Sequence, residues 1–199
     1  MKKNMVMGVF VCISILIIDF SNSIAGTYTK FGISFDYPKD QDILVKGVPL
    51  YGKEASKNAG SIWIKSDPKT NPVILISWLP SKRRDYKYIA KMMGVGIKAR
   101  KANHDIHLEK RMREMKVEGH LVIVQRFCTQ GREGILLNVI AGWYCDQSNR
   151  IFQITCSAPW KDPTFIVKSL NNPEPSWPPV KNDTSFVAFK NLINSFTCH

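Results

Sequence analysis

The chain has 199 residues, 44% of them hydrophobic, with 28 Lys+Arg against 16 Asp+Glu for a net charge of +12. That length suffices for one domain with a proper core, and the basic excess points towards anionic partners. There is no Gly-x-Ser-x-Gly, phosphate loop, dinucleotide fingerprint or internal repeat, so the enzyme classes those motifs announce are excluded.

Lys2 and Lys3 precede an apolar run from Met5 to Ile18, and Ser23-Ile24-Ala25 closes the segment with small residues. These are the three parts of a secretory signal peptide, so residues 1–25 are expected to be cleaved, leaving 26–199 as a single domain. A retained anchor is disfavoured because the run is short for a bilayer span and is ended by Asp19. Cys12 leaves with the signal. Cys128, Cys145, Cys156 and Cys198 remain, and an even number in an exported chain favours disulfides. No Cys-x-x-Cys is present to support a zinc ribbon or a thioredoxin-like site.

Residues 27–38 read as a hairpin turning at Phe31-Gly32, and 60–65 and 72–79 as two further strands. The stretch 40–59 lacks a period and reads as loop. From 85 to about 102 the period becomes helical: Ile89, Met92, Met93, Gly96 and Ile97 form a stripe, with Lys87, Lys91, Lys98 and Lys101 facing away. Gly94 and Gly96 each weaken this helix by about 1 kcal/mol relative to alanine, which suggests close approach to a sheet. Residues 106–115 read as one charged, half-exposed strand, returned by a turn at Val117-Glu118-Gly119.

Residues 121–160 contain no lysine and read as a three-stranded meander. On the second strand, 135–145, Val139, Ala141, Trp143 and Cys145 share a face by the two-residue period. A four-residue loop at 146–149 sets Cys145 opposite Arg150, Trp143 opposite Phe152, Ala141 opposite Ile154 and Val139 opposite Cys156. The apolar faces agree in this register, and a one-residue slip would turn Phe152 and Ile154 to the wrong side. The first strand, 121–128, is apolar on both faces near its start and is expected to be covered on both.

Beyond Trp160 the chain is proline-rich, and 171–179 (NNPEPSWPP) suits neither a helix nor a central strand. Trp160 and Trp177 are read as a cover over the sheet. Asp183 or Thr184 then caps a last helix, 185–196, with Phe186, Phe189, Ile193 and Phe196 on one face.

The meander also bears on disulfide pairing. Cys145 and Cys156 lie about 20 Å apart along the strands, too far to bridge. The last helix starts from the Cys156 end and rises about 18 Å back along the sheet, which carries Cys198 to Cys145. Cys145–Cys198 is therefore the favoured bridge. Cys128 and Cys156 have a strand between them, and are either bridged through a bent strand end or left as thiols.

His104-Asp105-Ile106-His107 is the cluster that suggests a metal, but two strand histidines point oppositely and no third ligand is near in sequence, so no metal or cofactor is expected. A nucleophilic Cys145 or Cys156 would need a base such as His120 or His199, and export favours the disulfide instead. Residues 82–116 hold twelve basic and four acidic residues, so most of the excess charge sits on one helix and the strand after it.

The order of these elements resembles the PsbP-like family, which includes an extrinsic photosystem II protein, exported bacterial and archaeal relatives and a Ran-binding nuclear-import factor. The pieces that carry the resemblance are FGISFDYP, the basic helix, VEGHLVIVQRF, GWYC with NRIFQITC, and the terminal LINSFTCH. It implies an α+β fold, an antiparallel sheet sandwiched by helices, in a family that mostly binds rather than catalyses. The cysteines and the Pro/Trp-rich insertion depart from that pattern.

The expectation is thus an exported, non-catalytic binding module at the cell surface. Lys87, Lys91, Lys98 and Lys101 would engage an acidic protein, an anionic polymer or a membrane surface, with nucleic acid not expected for an exported chain. The rival is an envelope hydrolase or metal-dependent enzyme.

Overall fold

The computed structural model describes residues 25–39, 41–46, 54–65, 72–100, 105–109, 112–131, 134–160 and 180–199. The signal-like segment up to residue 24, His104, Lys101 and Trp177 lie outside these.

The chain opens with β1 (Ala25–Lys30) and β2 (Ile33–Pro38), an antiparallel hairpin in which Lys30 pairs with Ile33. Phe31 and Gly32 have φ of 58° and 66°, the doubly left-handed turn that matches the twist of a two-residue hairpin. β3 (Asp42–Lys46) follows, then β4 (Gly60–Lys65), β5 (Val73–Pro80) and α1 (Tyr86–Arg100). β3 was not expected. Its five residues show no alternation because it is an edge strand with four exposed side chains, so burial imposes no pattern on it.

The single strand expected over 106–115 is two, β6 (Asp105–Leu108) and β7 (Arg113–Val117). Both pair with β8 (His120–Gly131), at its two ends. Glu109 interrupts them: its N–H donates to the Arg126 carbonyl, and its carboxylate receives Arg113 at 2.7 Å and Arg126 at 3.4 Å. A buried guanidinium on β8 thus draws the edge inward and breaks the strand. Glu118 and Gly119, at φ of 49° and 81°, make the expected turn from β7 into β8.

β8, β9 (Gly134–Cys145) and β10 (Arg150–Trp160) form the meander, longer than expected at the β8–β9 turn. Its register is the expected one: Cys145 opposite Arg150, Trp143 opposite Phe152, Ala141 opposite Ile154 and Val139 opposite Cys156. β10 also pairs with β5, and the large sheet has eight strands in the order β3-β4-β5-β10-β9-β8-β6, with β7 beside β6 on β8.

A turn of 3-10 helix (Val180–Asn182) leads into α2 (Thr184–Ser195), and β11 (Thr197–Cys198) ends the chain on the far side of β2, giving a small sheet β1-β2-β11. The large sheet is covered on both faces. α2 and the small sheet bury one face through Val139, Ala141, Trp143, Phe152, Ile154, Phe189, Ile193 and Phe196. There the Phe196 ring meets Trp143 edge-on at 5.1 Å and stacks on Phe35 at 6.1 Å. α1 buries the other face, with Ile89, Met93 and Ile97 against Ile123, Phe127, Ile140, Tyr144 and Ile151. Trp160 is half-buried on the pair Cys128 and Leu137, as a cover.

Gly96 meets the sheet closely, since a Cβ there would lie 2.9 Å from the Gln153 amide, whereas nothing comes within 4 Å of one at Gly94. One of the two helix glycines therefore marks the approach and the other does not. Arg150, buried at the start of β10, donates to the carbonyls of Phe31, Gly32, Lys57 and His199. One side chain thereby ties the first hairpin, the loop before β4 and the last residue to the meander.

Candidate functional site

α1 begins where the Asp85 carboxylate accepts from the Tyr88 N–H at 2.8 Å, which satisfies one orphan donor of the first turn, and the Asp85 carbonyl accepts the first intrahelical bond from Ile89. With Ile89, Met93 and Ile97 held against the sheet, the 3.6-residue period turns Lys87, Lys91, Val95 and Lys98 to the opposite side. All four are exposed, and Val95 is 55% accessible among the lysines. Lys101, the fourth expected member, lies outside the described residues.

Among the described residues no ion pair involves Lys87, Lys91 or Lys98. The arginines before the helix are engaged: Arg84 pairs with Asp146 at 2.9 Å and lies over the Tyr144 ring, and Arg83 lies over the Tyr88 ring. Of the basic residues expected on the following strand, Arg113 is drawn into Glu109, while Lys116 is exposed. Among the described residues, Lys87, Lys91 and Lys98 of the helix and Lys116 of the strand are exposed.

Cys145 and Cys198 are joined by a disulfide, with Cα atoms 6.7 Å apart. α2 starts beside Cys156 and runs back along the sheet, so its end delivers Cys198 to the last residue of β9. Cys128 and Cys156 are free and buried. They face the same side, because Cys128 lies opposite Leu137 and Cys156 opposite Val139 on β9. The intervening strand keeps them about 10 Å apart, beyond disulfide reach, so the second bridge does not form. Burial pushes the Cys128 thiol up to about 11. Cys156 is raised further, by burial first and then by the Asp183 carboxylate. Neither is a thiolate nucleophile near neutral pH.

His107 on β6 is half-buried and stands across from Cys128, and among the described residues no group of three metal-ligating side chains includes it. The donor groups that do converge are His120, at the start of β8, with Cys145 and Cys198. His120 Nε2 lies 3.5 Å from Cys198 Sγ. Sequence spacing offers no sign of this cluster, because its three members come from the starts and ends of β8, β9 and β11.

A cleft of about 670 Å³ opens between β2, the start of β5 and the first turns of α2. Tyr37, Ile74, Val187 and Leu192 supply apolar walls, and Asp36 and Lys181 supply its charges. The Asp36 carboxylate accepts from Thr27 Oγ1 at 2.7 Å. Neither histidine nor a second carboxylate lies in this wall among the described residues.

The fold is that of the Mog1p/PsbP proteins. The chain superimposes on the Ran-binding protein Mog1p of Saccharomyces cerevisiae with a TM-score of 0.54 at 10% identity, covering 87% of this chain and 95% of that one. Cyanobacterial PsbP (CyanoP) from Synechocystis sp. PCC 6803 matches with a TM-score of 0.55 at 12% identity, over 97% and 99% of the two chains. At these identities the likeness establishes the fold alone. No protein-family model matches the sequence, and no curated protein matches it at a significant level.

Proposed function

We propose that this chain, an α+β protein of Mog1p/PsbP-like fold, is a non-catalytic binding module that engages an acidic partner through the outer face of α1. The observation that carries this reading is the row Lys87, Lys91, Val95 and Lys98: three exposed lysines with no ion pair among the described residues, around one exposed apolar side chain. Lys87 and Lys91, four residues apart, repel one another by a few tenths of a kcal/mol, a cost that an anionic partner removes. Val95 offers an apolar centre that such a partner can desolvate within a polar rim.

Two further facts support binding over catalysis. Among the described residues the wall of the large cleft holds a single carboxylate and no histidine, and Mog1p, described as Ran-binding, shows that this architecture can present a protein-binding surface. Ran itself is not carried over. The disulfide fits an oxidising, extracytoplasmic compartment, and among the described residues no helix is long and apolar enough to cross a membrane. The enzyme reading has no specific observation in its favour.

The deciding experiment compares K87Q/K91Q/K98Q with a charge-matched control, K30Q/K39Q/K190Q, whose lysines are exposed on other elements. Retention is measured on an immobilised acidic peptide, on a sulfated polysaccharide matrix and on anionic vesicles across a salt series. The α1 variant should elute at clearly lower salt than the control on at least one of the three, which also identifies the partner class. Equal elution of the two variants on all three surfaces would leave the lysines as a solubility feature and overturn the reading.

A further inference from the structure

The disulfide has a third neighbour that neither the fold nor the basic face requires. His120, Cys145 and Cys198 place one donor atom each within 4.8 Å of one another. Cys145 and Cys198 are buried and His120 is half-buried beside them, on the face of the large sheet that α2 covers. Two ligands of a tetrahedral zinc ion, one sulfur at about 2.3 Å and one imidazole nitrogen at about 2.05 Å, stand about 3.6 Å apart. His120 Nε2 and Cys198 Sγ are separated by 3.5 Å. One edge of such a site is therefore present, and what closes it is the sulfur–sulfur bond.

We propose that the reduced form of this protein binds one borderline-soft divalent cation, of the zinc class, through Cys145 Sγ, Cys198 Sγ and His120 Nε2. The fourth position would hold water, on the side of the cluster that half-buried His120 leaves open. The switch balances as follows. A dithiol reductant supplies two electrons and two protons, is itself oxidised to a disulfide, and leaves Cys145 and Cys198 as thiols. The cation then displaces both thiol protons to solvent and takes the lone pair of His120 Nε2, whose ring carries its proton on Nδ1. Two thiolates cancel the charge of the cation, so the buried site gains no net charge. The sulfurs must separate to about 3.8 Å, the S···S edge of a zinc tetrahedron. Cys198 can accommodate this because it belongs to a two-residue strand and its Cα lies 6.7 Å from that of Cys145.

The inference is independent of the basic face, and it is tested with Co²⁺ as the probe, because its sulfur charge-transfer and d–d bands report ligand type and geometry. The whole chain from Gly26 is reduced anaerobically with a phosphine and titrated with Co²⁺, alongside the oxidised chain, H120A and the thiol control C128A/C156A. The expected result is one equivalent bound, with thiolate charge transfer and tetrahedral d–d bands, in the reduced wild type and in C128A/C156A. The oxidised chain should bind none, and H120A should bind at least about tenfold more weakly, with altered d–d bands. If reduction costs the chain its fold, one equivalent of Co²⁺ must restore the native circular dichroism in the wild type and not in H120A. Failure of reduced wild type to bind, or identical spectra and affinity in H120A, would overturn the proposal.

Discussion

Arg126 Nε donates to Asp183 Oδ2 at 2.9 Å, with both side chains only 1% accessible. Asp183 is also the N-cap of α2, accepting through Oδ1 from the N–H groups of Ser185 and Phe186 at 3.0 and 3.1 Å. One carboxylate therefore starts the helix and neutralises the one buried guanidinium on β8, while Glu109 approaches that guanidinium from the other side. Removing Asp183 would remove a cap and take the closer of two carboxylates from a buried guanidinium at once. D183A should lose about 3–5 kcal/mol, more than the roughly 1 kcal/mol of a lost cap. R126M/D183S, which keeps a capping oxygen and removes the buried guanidinium, should recover much of that. Urea unfolding of the two variants checks it, and equal losses would mean that the ion pair is energetically idle.

The Cys145–Cys198 bridge spans 53 residues of sequence. Chain-entropy arithmetic for a loop of that length gives about 4 kcal/mol of stabilisation. Reduction should lower the urea midpoint accordingly when no metal is added, and non-reducing peptide mapping should recover Cys145 and Cys198 in one linked species. A Cys128–Cys156 peptide in native material would contradict the strand separation.

Cys128 and Cys156 give stability a pH dependence. An unfolded thiol titrates near its ordinary 9, whereas folded Cys128 keeps its proton to about 11 and Cys156 longer still. Across that window the unfolded chain binds fewer protons than the folded one, so stability falls as pH rises from 9 towards 11. The urea midpoint should drop over this range and drop less in C128A. Below pH 8 both thiols should resist a thiol-specific reagent until denaturant is added. Rapid labelling of native protein would show that they are not sealed.

The two helix glycines should respond differently to alanine. Gly94 has open space where a Cβ would go, so G94A should raise stability by about 1 kcal/mol through helix propensity alone. At Gly96 the new methyl would lie 2.9 Å from the Gln153 amide, which must shift, so G96A should gain less or lose. Thermal or urea midpoints of the two single variants decide it. Equal gains would mean that α1 does not sit tightly on β10.

Local periodicity determined much of this molecule. The β9–β10 register followed from where Trp143, Ala141, Phe152 and Ile154 had to point, because a strand repeats every two residues and one face is buried. The same holds for α2, whose Phe186, Phe189, Ile193 and Phe196 are buried as the helical period requires, and for α1, whose lysines fall opposite Ile89 and Met93. Cys145 and Cys198 meet because helix rise and strand rise are fixed lengths. Edge strand β3 was not legible, since four of its five side chains face solvent and no burial imposes a pattern on them. Nor was the break between β6 and β7, which a buried Arg126 on another strand causes by drawing in Glu109. The pairing of Arg126 with Asp183, 57 positions away, and the arrival of His120 beside Cys198, 78 positions away, depend on which strands become neighbours. Sequence periodicity describes one element at a time. Long-range polar contacts form only when sheet order and helix direction bring separate elements together, and that is where tertiary structure decided what the residues alone could not.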